Sequence, residues 1–218
     1  PFRKIRAHSP IRTFKNSSLE DLLLLTPAQI LVVISAALMV WGGYDYLRDT
    51  LAGKTKPNRV SWSLWALAPL ISIGAAFSAG ADPWASVRVI VGGIVPGTIF
   101  LASFVNKSSY WQLKKFDWYC GALSVFALIF WQFADSPLIA VLLASSANTL
   151  ASIPTFVKAW KYPETESRLI FITSFVSSII IIPAIPEWNI VNAAFQISLM
   201  LTTGAMVIAI YRKNLRIK

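Results

Sequence analysis

Long apolar runs, each close to the length of one bilayer crossing, alternate along this chain with short polar segments. Seven such runs are predicted as helices, at roughly 28–46, 60–80, 85–105, 117–133, 137–159, 168–185 and 189–211. About 20 helical residues cover the ~30 Å of bilayer hydrocarbon; each run approaches that length, and the fourth is the shortest. The turns after runs two, four and six are short: Ala81 to Trp84, Ala134 to Ser136 and Pro186 to Trp188. Those after runs one, three and five are longer and basic. The expected fold is an all-α membrane protein of seven transmembrane helices, with the lipid bilayer as its surroundings.

Composition agrees with this pattern. Of 218 residues, 56% are hydrophobic and 14% charged, where a soluble domain carries nearer a quarter charged. The formal net charge of +10 comes from Lys and Arg between and beyond the apolar runs, which points to membrane orientation and away from nucleic acid. The longer loops and the C-terminal tail hold Arg48, Lys54, Lys56, Arg59, Lys107, Lys114, Lys115, Lys158, Lys161, Arg168, Arg212, Lys213, Arg216 and Lys218, whereas the short-turn side holds only Arg88. The positive-inside rule then places the C-terminus in the cytoplasm and the N-terminus outside, with the cell membrane as the expected location. Arg3, Lys4, Arg6, Arg12 and Lys15 in the N-terminal tail argue the other way, but the loops agree with one another three times over. That tail lacks the apolar core and cleavage pattern of a secretory signal; a flexible tail, a surface-lying segment and a targeting remnant all stay open. Cys120 stands alone and His8 is the only histidine, so neither an intrachain disulfide nor a His/Cys metal site is expected, and no cofactor is implied.

The stretch Ala147 to Phe171 organises the rest. Asn148 and Pro154 lie inside its apolar part, Lys158 and Lys161 mark its exit, and Pro163, Glu164, Glu166 and Ser167 form the turn. Proline in an apolar span frees a helix carbonyl, which membrane proteins tolerate where a neighbour or a hydrated cavity satisfies it. Lys56-Pro57-Asn58-Arg59-Val60-Ser61 and Tyr162-Pro163-Glu164-Thr165-Glu166-Ser167 share Pro, three residues, then Ser, at an offset of 106 residues. The same offset lays run three on run seven. Two like-oriented three-helix repeats joined by one crossing helix, a 3+1+3 layout, are expected. The divisions are a basic tail at 1–26, the first repeat at 27–106, the linker helix with its flanks at 107–136, the second repeat at 137–212, and a basic tail at 213–218.

Ile153-Pro154-Thr155, followed by Lys158-Ala159-Trp160 and Pro163-Glu164-Thr165-Glu166-Ser167, resembles the PQ-loop motif, and the seven-run layout is similar to that of PQ-loop proteins and SWEET transporters. Thr155 stands where that motif has glutamine, and Gly42-Gly43-Tyr44 occupies the matching place in the first repeat. The resemblance implies hinge or gating prolines, for which Pro69, Pro154 and Pro183 are the candidates, although Pro69 and Pro183 are not in equivalent register. It also implies a solute site lined by asparagine and tryptophan, with Asn192 as the second-half asparagine and Ser86 at its repeat counterpart.

Uncharged polar residues inside apolar runs need partners, so Asn148, Asn192 and Gln196 are the leading candidates for solute contact; interhelical hydrogen bonding is the plainer role. Asn192 and Gln196, four apart, share a helix face. Trp65 and Trp41 are the tryptophans expected near a site, whereas Trp62, Trp111, Trp118 and Trp188 read as an interfacial belt. Asp45 is the nearest candidate for proton coupling, with a salt bridge to Arg48 as the plainer reading. Arg88 is expected to snorkel to the headgroups. Glu164 and Glu166 read as exposed turn residues, and no catalytic constellation is present, so an enzyme is not expected.

The expected function is alternating-access, facilitative transport of a small polar solute between two bundles, with a sugar favoured. An amino-acid or vitamin-precursor carrier of the same layout and a non-transporting receptor or scaffold are the alternatives. Homo-oligomer formation stays open.

Overall fold

Seven α-helices connected by turns and short 3-10 segments make up the described part of the chain, with no strand among the described residues. The computed structural model describes residues 25–78, 83–185 and 187–214. The N-terminal basic tail up to residue 24, His8 within it, most of the turn from Ala81, and Arg216 and Lys218 lie outside the described residues.

The helices are α1 (Pro27–Leu51), α2 (Arg59–Ser78), α3 (Pro83–Ala102), α4 (Lys115–Gln132), α5 (Pro137–Lys161), α6 (Arg168–Ile180) and α7 (Ile190–Tyr211). By length and composition α1, α5 and α7 are long and apolar enough to cross a membrane. Their starts are marked in sequence. Thr26 and Gln29 form a capping box before Pro27, with the Thr26 N–H donating to Gln29 Oε1 at 2.8 Å. Asn58 Oδ1 accepts from the N–H groups of Val60 and Ser61 at the head of α2, and Asn189 Oδ1 accepts from Asn192 N–H at the head of α7. Helix α6 ends at Ile180, short of the predicted 185, and a 3-10 turn over Ile182–Ala184 follows. Pro183 is the reason: it brings no N–H and restricts the residue before it. Pro69, Pro96 and Pro154 are instead accommodated within continuous helices.

Helix packing forms a cycle. Helix α1 lies against α3 and α6, α3 against α2, α2 more lightly against α5, α5 against α7, and α7 against α6; α4 packs on α5 and α2. Close approach depends on small residues. A Cβ added to Gly42 would sit 2.8 Å from the Ile170 Cα of α6, while one on neighbouring Gly43 would collide with Val95 of α3. The hydroxyls of Ser35 (α1) and Ser177 (α6), both fully buried, meet at 2.7 Å. Large apolar side chains such as Leu101, Phe126 and Leu201 are exposed on the outside, each by more than 60%. The buried core gathers where the longer loops emerge, around Tyr46, Trp62, Ile99, Ile170, Phe171 and Met206.

Candidate functional site

A cavity of about 580 Å³ lies inside the cycle of helices and is lined by all seven. At its floor, toward the longer loops, are Trp62, Ile170, Phe171 and Met206. Trp65, Pro69, Pro96, Asn148, Ser174 and Thr202 line its middle. Arg88, Trp131, Pro137 and Ser178 line it toward the short-turn ends of the helices. Its volume falls in the ~300–1,000 Å³ range of small-molecule sites.

Arg88 is the charged residue of this lining. Its Nε donates to Ser35 Oγ at 2.9 Å, and its Nη1 donates to Gln196 Oε1 at 3.2 Å. Gln196 Nε2 donates in turn to the Ser178 carbonyl at 2.7 Å. The guanidinium therefore ties α3 to α1 and α7, and does not snorkel outward as its position in sequence implied. No carboxylate pairs with it among the described residues. The physical reason for the inward turn is the acceptors that α1 and α7 present, Ser35 Oγ and Gln196 Oε1, which let the charge be buried with hydrogen bonds.

Beyond the floor the chain is sealed by a polar knot. Lys158 and Glu166 form an ion pair at 2.5 Å, with their side chains 1% and 0% exposed. The Tyr46 hydroxyl donates to Glu166 Oε2 at 2.6 Å, Lys158 Nζ donates to the Lys56 carbonyl, and Lys56 N–H donates to the Thr165 carbonyl at 2.9 Å. The Lys56-to-Ser61 and Tyr162-to-Ser167 stretches thus touch backbone to backbone. Tyr46 packs on Trp62 with ring centroids 4.7 Å apart, and the Lys158 ammonium lies 5.1 Å from the Trp111 ring. Glu166, expected as an exposed turn residue, is buried, because the turn folds inward over α1. Glu164 fits that expectation: it is exposed and bridges to Lys213 at 3.3 Å. Its carboxyl is held below the usual range, chiefly by its own backbone N–H and secondarily by Lys213.

The structure brings some of the sequence candidates together and separates others. Asn148 and Trp65 line the cavity, as does Pro69. The Asn148 Nδ2 is buried and has no acceptor among the described residues. Gln196 reaches the cavity edge through Arg88. Asn192 is exposed in the first turn of α7, its Nδ2 donating to the Glu187 carbonyl at 3.1 Å, and Trp41 is 58% exposed; neither lines the cavity. Pro154 is buried in α5 away from the lining, and Pro183 lies in the turn after α6. Asp45 pairs with Arg48 at 3.0 Å and accepts from Ser167 Oγ at 2.8 Å, outside the cavity. Trp62 is at the floor, only 2% exposed, and not in an interfacial belt, whereas Trp118 and Trp188 are exposed on the outside. Trp111 is half-buried against Lys158 and Tyr162. Pro96 and the Arg88 cluster went unread as site features, although an arginine at the head of an apolar run was a visible signal for the latter. No family model, curated protein or solved structure matches this chain.

Proposed function

We propose that this chain is an integral membrane carrier of the PQ-loop and SWEET type that moves a small polar solute by alternating access. All seven helices cross the bilayer in this reading. Helices α1, α3 and α2 form one bundle, α5, α7 and α6 the second, and α4 links them so that both face the same way. The contact order supports the layout: in each triplet the third helix in sequence lies between the other two. Arg59 at the head of α2 lies 3.9 Å from the Phe104 ring just past α3, and Arg168 at the head of α6 lies 5.3 Å from the Tyr211 ring of α7, a matched pair of anchors. Exposed apolar side chains around the outside suit a lipid surround.

The observation that carries the transport reading is a cavity between the two triplets, lined at one end by Arg88 and sealed at the other by Trp62 and the Lys158–Glu166 knot. A cavity sealed toward one side is what an alternating-access carrier holds between half-cycles. The N-terminus is outside and the C-terminus cytoplasmic in this proposal, so the seal lies on the cytoplasmic side of the cell membrane. A sugar is the cargo the resemblance favours; an amino acid or other small metabolite uses the same site. No ionisable group of Asp or Glu lines the cavity among the described residues, which supports facilitated diffusion over proton coupling.

Proteoliposomes test the proposal. Saturable uptake of labelled solute is expected, with roughly a fivefold loss in Asn148→Ala, the cost of about one hydrogen bond. Saturable binding of solutes that are never taken up sinks the carrier and favours the receptor reading.

A further inference from the structure

We infer that the cavity binds its solute through a carboxylate held by Arg88, a proposal that rests on reading the cavity as the solute site. Arg88 lines the cavity as a cation held by two neutral acceptors, Ser35 Oγ and Gln196 Oε1. Its Nη2 has no acceptor among the described residues. A guanidinium partly withdrawn from water gains from an anion beside it, and no carboxylate of the described residues pairs with Arg88. The second free donor on the walls is Asn148 Nδ2, buried and without an acceptor. Both groups offer protons and seek an oxygen that accepts them.

The remaining walls set the rest of the ligand. Val89, Leu128 and Leu199 are apolar, and the lining hydroxyls of Ser72, Ser124, Ser152, Ser178, Thr202 and Thr203 already donate their protons to backbone carbonyls. Those hydroxyl oxygens can accept from a ligand but have no proton left to give, so Arg88 and Asn148 Nδ2 are the donors that select an acceptor-rich group. One cation in a mostly apolar lining fits one negative charge on a partly apolar body. The planar guanidinium also matches a carboxylate by two parallel hydrogen bonds better than it matches a single hydroxyl. The ligand class is therefore a small amphipathic monocarboxylate. Arg88 also bonds α1 and α7, one helix from each triplet, so a carboxylate on it acts at the junction of the two.

The test compares two isosteric probes on the detergent-purified full chain: cyclohexanecarboxylate and the neutral cyclohexanecarboxamide. Neither absorbs where tryptophan emits, and Trp62, Trp65 and Trp131 line the cavity, so binding is read from tryptophan emission. The carboxylate is expected to bind about tenfold or more tightly than the amide. Arg88→Gln is expected to abolish that preference, and Arg88→Lys, which keeps the charge but loses the fork, to retain part of it. Equal binding of both probes, binding of neither, or an undiminished preference in Arg88→Gln overturns the inference. Should Arg88→Gln not fold, the wild-type comparison and Arg88→Lys still decide it. Failure of the carrier reading is distinct: the carboxylate binds through Arg88 yet is not taken up by proteoliposomes. Conversely, uptake of a neutral sugar that is indifferent to Arg88→Lys leaves the carrier and removes the carboxylate.

Discussion

Glu166 accepts from Tyr46 and pairs with Lys158, and nothing of either charged side chain is left to water beyond 1%. Such a pair adds little net stability, because desolvating both ions offsets their attraction, but removing one partner strands the other. Lys158→Ala is therefore expected to destabilise the protein by about 3–5 kcal/mol, leaving Glu166 buried without a counter-ion. The double variant Lys158→Met with Glu166→Gln is expected to regain most of that loss. Thermal unfolding in detergent reads both; a Lys158→Ala midpoint equal to wild type refutes the account. At this scale the sequence was a poor guide. Glu166 and Arg88 look alike on paper, charged residues near the end of an apolar run, and the ordinary rule sends such residues to the headgroups. What turned them inward were groups on other helices: Tyr46, with nearby Lys158, for the one, and Ser35 and Gln196 for the other. Those neighbours are 120 and 108 positions away for Tyr46–Glu166 and Arg88–Gln196, so no local pattern reveals them.

Helices, by contrast, were largely legible. Apolar runs bounded by Thr26, Asn58 and Asn189 became helices beginning within a residue or two of those caps. Two ends differ by five residues: α1 runs on to Leu51, past the predicted 46, and α6 stops at Ile180 because of Pro183, a residue read from the resemblance as a hinge and not as a terminator. Which face of each helix turns inward was not legible, because interior and exterior are both apolar here: Leu64 is buried and Leu67 is 48% exposed on the same helix. The paired glycines at 42 and 43 were the clearest element-level sign, and they work in opposite directions, one toward Ile170 and one toward Val95. Gly42→Ala places a methyl 2.8 Å from backbone on α6, which no rotamer relieves, so α1 and α6 must separate. The expected cost is about 1–3 kcal/mol, the range for overpacking a tight contact. Gly92→Ala is the control: its nearest atom is the flexible Met39 Cε at 3.7 Å, and its unfolding midpoint is expected to stay near wild type or rise. Equal effects of the two substitutions contradict the packing described.

At the scale of the whole molecule, the carrier reading gives the cavity and its seal opposite demands on the two sides of the membrane. The layer of Trp62, Ile170, Phe171 and Met206 and the knot behind it separate the cavity from the longer loops. Access to a residue inside should therefore be one-sided. Ser174 lines the cavity and is partly buried, and Cys120, the lone native thiol, is buried and replaceable. In a Cys120→Ala background, Ser174→Cys in oriented vesicles is expected to react with a membrane-impermeant thiol reagent applied to the short-turn side, and far more slowly from the loop side. Carriers interconvert between such states, and a bistable element is what shifts the population. The Lys158–Glu166–Tyr46 knot is that element on the carrier reading, because it joins α1 of one triplet to α5 and the α5–α6 turn of the other. Tyr46→Phe removes one donor and leaves Glu166 Oε2 short of a partner, a penalty of about 1–3 kcal/mol on the sealed state alone. Applied to an equilibrium near balance, a penalty of that size changes the ratio of the two states by roughly 5- to 150-fold. Labelling of Ser174→Cys from the loop side is accordingly expected to rise in Tyr46→Phe while labelling from the short-turn side falls. Reaction at equal rates from both sides in the parent, or an accessibility unchanged by Tyr46→Phe, rules out a gate at that end of the cavity.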